Sequence, residues 1–213
     1  MNGRPTSTFR ASCAGRLRRL LTTCLCSALA TALAADAEPM MPKTEEGPDA
    51  VHVSSANYRV PDIRLVRDDG RSVELRDELD DGRPVLLNFI FTSCASICPL
   101  SSKVFADFAH ELGADRAHVH LVSISIDPEQ DTPARLREYA KTFDAGPEWQ
   151  HYTGTRAASE AAQRAFDAYR GSKMEHTPLT LLRRAPGEPW VRVDGYVTPG
   201  ELMHYYQTML AQR

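Results

Sequence analysis

The 213-residue sequence has no strong excess of charge of either sign, no apolar run of bilayer-spanning length and few cysteines. A formal net charge of −3 and a pI near 6.2 give no reason to expect nucleic-acid binding. With 42% hydrophobic and 25% charged residues, the composition excludes a disordered, a collagen-like and a multi-span membrane protein. The length suits one globular domain with a short extension, since single domains commonly contain ~100–200 residues.

Acidic residues are absent from Met1–Ala35, which contains five arginines. The apolar run Leu20–Ala35 follows those arginines, ends in small residues and is shorter than the ~20 residues that span a bilayer comfortably. This pattern predicts an export signal over residues 1–35, with cleavage near Ala34–Ala37, and therefore a periplasmic protein. The alternative is an uncleaved N-terminal anchor, which would tether the protein to the inner membrane.

Removal of residues 1–35 would change both the charge and the cysteine content. It would leave 20 basic and 28 acidic residues, and therefore a net charge of −8. Three of the five cysteines lie in this segment without a good lipobox, so we interpret them as small apolar residues. The remaining two, Cys94 and Cys98, would reach an oxidising compartment, where a disulfide can persist.

Residues 36–57 are rich in proline and acidic residues and poor in apolar ones, which predicts a flexible tether. No internal repeat or second linker is visible, so one folded domain is predicted over residues 58–213. Its predicted elements are a hairpin (58–66 with 72–75), strands at 84–91, 119–126 and 149–153, helices at 99–112, 132–143 and 157–169, a closing hairpin (180–183 with 190–193) and a helix at 199–210. This alternation predicts an α/β sheet covered on both faces, and a cysteine motif after the first core strand suggests a thioredoxin-like fold with an N-terminal β-hairpin extension.

The cysteine pair follows the continuous apolar run 84–91 and lies at the predicted start of a helix. A helix N-terminus stabilises negative charge and so favours a thiolate at Cys94 or Cys98. Residues four apart on a helix share a face, so the two sulfurs could hold one metal ion or close into a disulfide. A static disulfide is the less attractive interpretation, because so short a loop constrains the unfolded chain little.

His176 is the candidate for a third ligand among seven histidines. It precedes the predicted strand at 180–183, and in thioredoxin-like folds the loop before this strand faces the cysteine motif. Two thiolates and an imidazole make a trigonal set that suits Cu(I), and imidazole also suits Cu(II). Zinc usually has a fourth ligand, which no obvious residue supplies. Met174 could donate a thioether, although packing is the more common role of a loop methionine.

Three motifs resemble the Sco/SenC family: FTSCASICP, LVSISIDPEQDTP and HTP occur in the family's order, and the similarity covers most of the chain from about Tyr58. The resemblance implies a thioredoxin-fold protein that binds copper through Cys94, Cys98 and His176. It also implies a partner, the copper-bearing subunit of cytochrome c oxidase, which such proteins metallate or whose cysteines they reduce. Asp127 matches the family's Asp-Pro turn, and we interpret it as a turn or N-cap residue.

Two functions stay open at this point. The first is a copper-binding metallochaperone that delivers copper to cytochrome c oxidase or to another periplasmic thiol or copper protein. The second is a thiol–disulfide oxidoreductase in which Cys94 attacks and Cys98 resolves the mixed disulfide. These two can coexist, since reduction of the pair must precede tight copper binding. A peroxidase is a third class, suggested by Thr92, but the sequence places no arginine near the thiolate.

Overall fold

The computed structural model describes residues 51–211, so the predicted export signal and most of the predicted tether lie outside the described residues. The strands are β1 (His52–Ala56), β2 (Arg64–Arg67), β3 (Ser72–Glu74), β4 (Val85–Ile90), β5 (His120–Ser125), β6 (Trp149–Thr153), β7 (Leu179–Arg183) and β8 (Trp190–Asp194). The α-helices are α1 (Leu75–Leu79), α2 (Ile97–Leu112), α3 (Pro133–Thr142), α4 (Arg156–Ala165) and α5 (Pro199–Ala211), and short 3₁₀ helices cover Gly113–His118 and Lys173–Glu175. Within residues 51–211 no helix combines the length and the apolar character that crossing a membrane requires.

The strands of the described region form one mixed sheet in the order β1-β8-β7-β4-β5-β6-β2-β3. β4, β5 and β6 run parallel, whereas β7, β8 and the β2–β3 hairpin pair antiparallel with their neighbours. Both predicted hairpins are therefore confirmed. In the parallel register Ile90 lies opposite Ser125, so β4 and β5 end level with each other. Ligand sites of open α/β sheets lie at this carboxyl edge.

The central strand β4 is buried along its whole length because its apolar residues face a core on each side of the sheet. Leu86 packs in one core with Phe105 of α2 and Leu202 of α5. The next residue, Leu87, packs in the opposite core with Ala162 of α4. Helices thus cover both faces of the sheet, which confirms the α/β class that the alternation of elements predicts.

Side-chain caps fix the starts of three helices. Thr132 and Thr155 each accept a hydrogen bond from the backbone N–H three residues later, at 3.3 and 3.1 Å. At the start of α5, the Thr198 hydroxyl accepts from the N–H of Glu201, and the Glu201 carboxylate accepts from the N–H of Thr198. This reciprocal capping box supports the predicted start of the helix near residue 199.

The predicted flexible tether is wrong for residues 52–56, which form β1. This strand pairs antiparallel with β8, with His52 opposite Asp194 and Ala56 opposite Trp190. Its side chains are mostly exposed because it is an edge strand, so backbone pairing places it and side-chain burial contributes little. A polar strand of this kind has the same composition as a linker, which explains why its sequence predicts one.

Two other predicted elements are too long. The first strand of the N-terminal hairpin begins at Arg64, not at Tyr58. Helix α4 ends at Ala165 instead of Tyr169, since Asp167 adopts a left-handed backbone conformation with φ of 51°. Such a residue commonly terminates a helix.

Phe105→Ala is expected to lower the free energy of unfolding by about 3–5 kcal/mol. Its ring is fully buried and lies 5.7 Å from the ring centre of Trp149. Leu100→Ala on the same helix is the control, since Leu100 is 56% exposed and its loss should change stability by at most about 0.5 kcal/mol. Urea unfolding followed by tryptophan fluorescence measures both values. Equal losses would contradict the assigned core face of α2.

Candidate functional site

The two cysteines of the motif occupy different backbone settings. Residues 91–96 connect β4 to α2, and Cys94 lies in this loop. Helix α2 begins at Ile97, two residues before the predicted start at Pro99. Cys98 therefore lies inside the first turn of the helix, whereas Cys94 precedes it.

The two thiols also differ in burial and acidity. Cys94 is half-buried, whereas Cys98 is only 1% exposed and packs with Ile90 and Leu136, and both are free thiols. Burial alone would raise the pKa of Cys94, but hydrogen bonds from the backbone N–H groups of Cys98 and Ser96 outweigh it and bring that pKa below its usual value. Burial raises the pKa of Cys98 far above the usual range. The pair therefore combines one accessible, readily ionised thiol with one buried thiol.

The buried carboxylate of Asp131 fixes the segment that leads to Cys94. It accepts hydrogen bonds from the N–H of Thr92 (3.2 Å), the hydroxyl of Thr92 (2.5 Å) and the hydroxyl of Ser125 (2.6 Å). These bonds tie the end of β4 to the end of β5. Sequence reasoning missed this role, because an aspartate beside Thr132 has the composition of an ordinary helix start.

His176 follows the short 3₁₀ helix and precedes β7. Its Nε2–H donates to the backbone carbonyl of Phe89 on β4 at 2.9 Å, since a carbonyl oxygen can only accept. This bond orients the ring and leaves Nδ1 with the free lone pair. Burial lowers the pKa of His176, which favours the neutral imidazole that binds metals.

An ion pair joins the loop that carries His176 to the turn after β5. Lys173 Nζ lies 2.5 Å from the carboxylate of Asp127 and 5.5 Å from the ring centre of Phe91. The backbone carbonyl of Asp127 accepts the N–H of Gln130 at 3.0 Å, so Asp127 does begin a turn, while Thr132 is the N-cap of α3. Lys173 is a second residue that sequence reasoning missed, because its partner lies 46 positions away.

Cys94 and His176 line one cleft of about 390 Å³ at the carboxyl edge of the sheet. The other lining residues are Phe91, Ser93, Ala95, Ser96, Ile97, Lys173 and Met174. No arginine lines this cleft, and the hydroxyl of Thr92 bonds to Asp131.

The three candidate ligands, Cys94, Cys98 and His176, lie near one another but do not surround a common centre. Cys98 lies next to Cys94, since the backbone N–H of Cys98 donates to the Sγ of Cys94 at 3.4 Å. Cys98 itself does not line the cleft. Among residues 51–211 no three His, Cys, Asp or Glu side chains come close enough together to hold a metal ion. Metal binding by all three candidates would therefore require a local adjustment.

A sheet covered by helices on both faces, with a dithiol directly after its central strand, defines a thioredoxin-like protein. The family model described as SCO1/SenC matches residues 53–210. The chain belongs to the SCO1/SenC family, as its three motifs suggest.

Curated relatives agree with this assignment. An SCO2-like protein of Rickettsia felis is 32% identical over 176 residues, which cover 76% of this chain and 84% of the relative. An SCO1 protein homolog of Bacillus subtilis is 34% identical over 99 residues, or 46% of this chain. That second match spans only half of the length of the Bacillus relative.

Solved structures show the same fold. The structure of Bradyrhizobium japonicum ScoI with copper bound has 27% identity and a TM-score of 0.58, covering 68% of this chain and 96% of that one. BsSco, described as a member of the Sco family of cytochrome c oxidase assembly proteins with a disulfide switch, has 24% identity and a TM-score of 0.62 over 75% of this chain and 98% of that one. The thioredoxin-like fold that the sequence predicts is confirmed by this likeness.

In the reduced protein at pH 7, iodoacetamide is expected to modify Cys94 at least about tenfold faster than Cys98, because Cys94 is more exposed and more readily ionised. Mass spectrometry of quenched samples measures the two rates. Denaturation in urea supplies the control, since both thiols should then react at similar rates. Faster labelling of Cys98 in the folded protein would show that the asymmetry of the pair is wrongly assigned.

Proposed function

We propose that this protein is an exported, periplasmic metallochaperone that binds one copper ion through Cys94, Cys98 and His176 and delivers it to the copper-bearing subunit of cytochrome c oxidase. One observation carries the proposal: an accessible thiol and an imidazole with a free Nδ1 line the same cleft, and a second thiol lies in the adjacent helical turn. Membership of the SCO1/SenC family and the copper-bound Bradyrhizobium ScoI support it.

The donor set fits copper as cargo. Two sulfurs and one imidazole nitrogen suit the soft Cu(I) ion, and the imidazole also tolerates Cu(II). His176 is held by Phe89, and its loop is held by the pair of Lys173 and Asp127. The adjustment that brings the donors together therefore falls on the loop around Cys94 and on the first turn of α2.

Protons compete with copper for the sulfurs. A cysteine binds metal as a thiolate, so each thiol that becomes a ligand releases its proton. Cys98 keeps its proton at neutral pH because burial raises its pKa. Copper affinity should consequently rise with pH, and most of this dependence should come from Cys98.

The reduced protein is expected to bind one Cu(I) per monomer, and His176→Ala should weaken binding by at least about tenfold. Anaerobic competition with a chromophoric Cu(I) chelator measures both the stoichiometry and the affinity. His204→Ala is the matched control, because His204 is exposed on α5. A stoichiometry near zero, or an affinity that His176→Ala leaves unchanged, would refute the proposed metallochaperone function.

The asymmetry of the thiols favours a second function, thiol–disulfide exchange. The Cys94 thiolate would attack a disulfide of a partner and release one partner thiolate, forming a mixed disulfide. Cys98, as the resolving thiol, would then attack the sulfur of Cys94 and release the second partner thiolate. The partner is thereby reduced by two electrons, and the Cys94–Cys98 pair is oxidised to a disulfide.

Cys98→Ala should trap the mixed disulfide, since no resolving thiol remains, whereas Cys94→Ala should trap none. A peptide that contains one disulfide serves as the probe, and non-reducing electrophoresis with mass spectrometry detects the adduct. Failure of Cys98→Ala to form an adduct at a rate above that of Cys94→Ala would exclude the exchange mechanism.

A further inference from the structure

Met174 is an unusual residue on the surface of the domain. It is 77% exposed, more than any other large hydrophobic residue between positions 51 and 211. The residues around it, Ser172, Lys173 and Glu175, are all polar. No packing explains an apolar side chain at this position, because so little of its surface is covered.

The position of Met174 connects it to the candidate site. It lies two residues before His176, and it lines the same cleft as Cys94 and His176. The ion pair of Lys173 with Asp127 anchors its short helical turn, and the Ser172 hydroxyl accepts its backbone N–H at 3.2 Å. These contacts place the backbone of Met174 beside the cleft, which its side chain helps to line.

The thioether of Met174 is a suitable ligand for an incoming Cu(I) ion. Cu(I) is soft and is well matched by thioether sulfur, which stays neutral and needs no deprotonation. Besides Met174, only Cys94 and His176 among the residues that line the cleft offer a sulfur or an imidazole nitrogen, since Cys98 is buried and does not line it. These two donors leave the coordination one ligand short of a trigonal set.

We propose that Met174 is the third ligand of a Cu(I) capture state, formed with Cys94 and His176, and that Cys98 replaces it as the ion moves inward. The exchange breaks the bond from copper to the thioether and forms one from copper to the Cys98 thiolate. The proton of Cys98 passes to solvent, and copper remains Cu(I) throughout, so no electron acceptor is needed. This inference rests on the proposed copper function and adds a transient ligand to it.

Cys98→Ala isolates the capture state because it removes the ligand that replaces the thioether. In this background, Met174→Leu is expected to weaken Cu(I) binding about tenfold in an anaerobic chelator competition. Met209→Leu is the matched control, since Met209 is buried in the core on α5. In the wild-type background, Met174→Leu should slow Cu(I) uptake in stopped-flow mixing by about the same factor.

Methyl NMR of the protein labelled at its methionines reports the bond itself. One equivalent of Cu(I) should shift the methyl resonance of Met174 in Cys98→Ala and leave those of Met203 and Met209 in place. A Met174 methyl that does not move, with uptake and affinity unchanged in Met174→Leu, would overturn the capture state even though the wild type binds copper. If the wild type binds no Cu(I), the proposed function itself fails. If Cys98→Ala does not fold, the wild-type uptake rate decides between the same two outcomes.

Discussion

The geometry of the cleft depends on the buried carboxylate of Asp131. Three hydrogen bonds from Thr92 and Ser125 converge on it in a fully buried position. A buried charge is tolerated only when it is well bonded, so this cluster defines one arrangement of the two strand ends. Residues 91–96 form the loop that presents Cys94, and its second residue, Thr92, is fixed by these bonds.

A second polar contact fixes the opposite wall of the cleft. The pair of Lys173 and Asp127 holds the loop of His176 against the turn after β5, and the bond from His176 to Phe89 sets the ring against β4. Asp127 and Asp131 belong to the same turn, since the N–H of Asp131 bonds to the carbonyl of Asp127 at 2.9 Å. One short turn thus positions both walls, and a change there would move the cysteine loop and the histidine loop together.

Some features of the fold and the site could be predicted because they leave a strong pattern in the sequence, whereas others leave a weak pattern or none. The apolar run of β4 could be assigned because burial on both faces requires it, and the cysteine motif follows it directly. Strand β1 could not, because backbone pairing with β8 leaves no apolar pattern in residues 52–56. The different burial of Cys94 and Cys98 depends on a helix start two residues earlier than Pro99 indicates. Partners distant in the chain, such as Lys173 and Asp127, leave no local signal at all.

Because α2 begins at Ile97, Cys98 lies inside the helix and Cys94 lies before it. The two thiols would therefore have different roles in the proposed copper transfer. A carrier must bind its ion firmly and still release it, and two identical exposed thiolates would favour binding alone. Burial raises the pKa of Cys98, so this thiol holds its proton more firmly than Cys94 does. In the proposed transfer, reprotonation of Cys98 would favour release, while Cys94 would keep the ion near the surface, where a recipient ligand can reach it. The same asymmetry suits thiol exchange, which explains how one site could serve both chemistries.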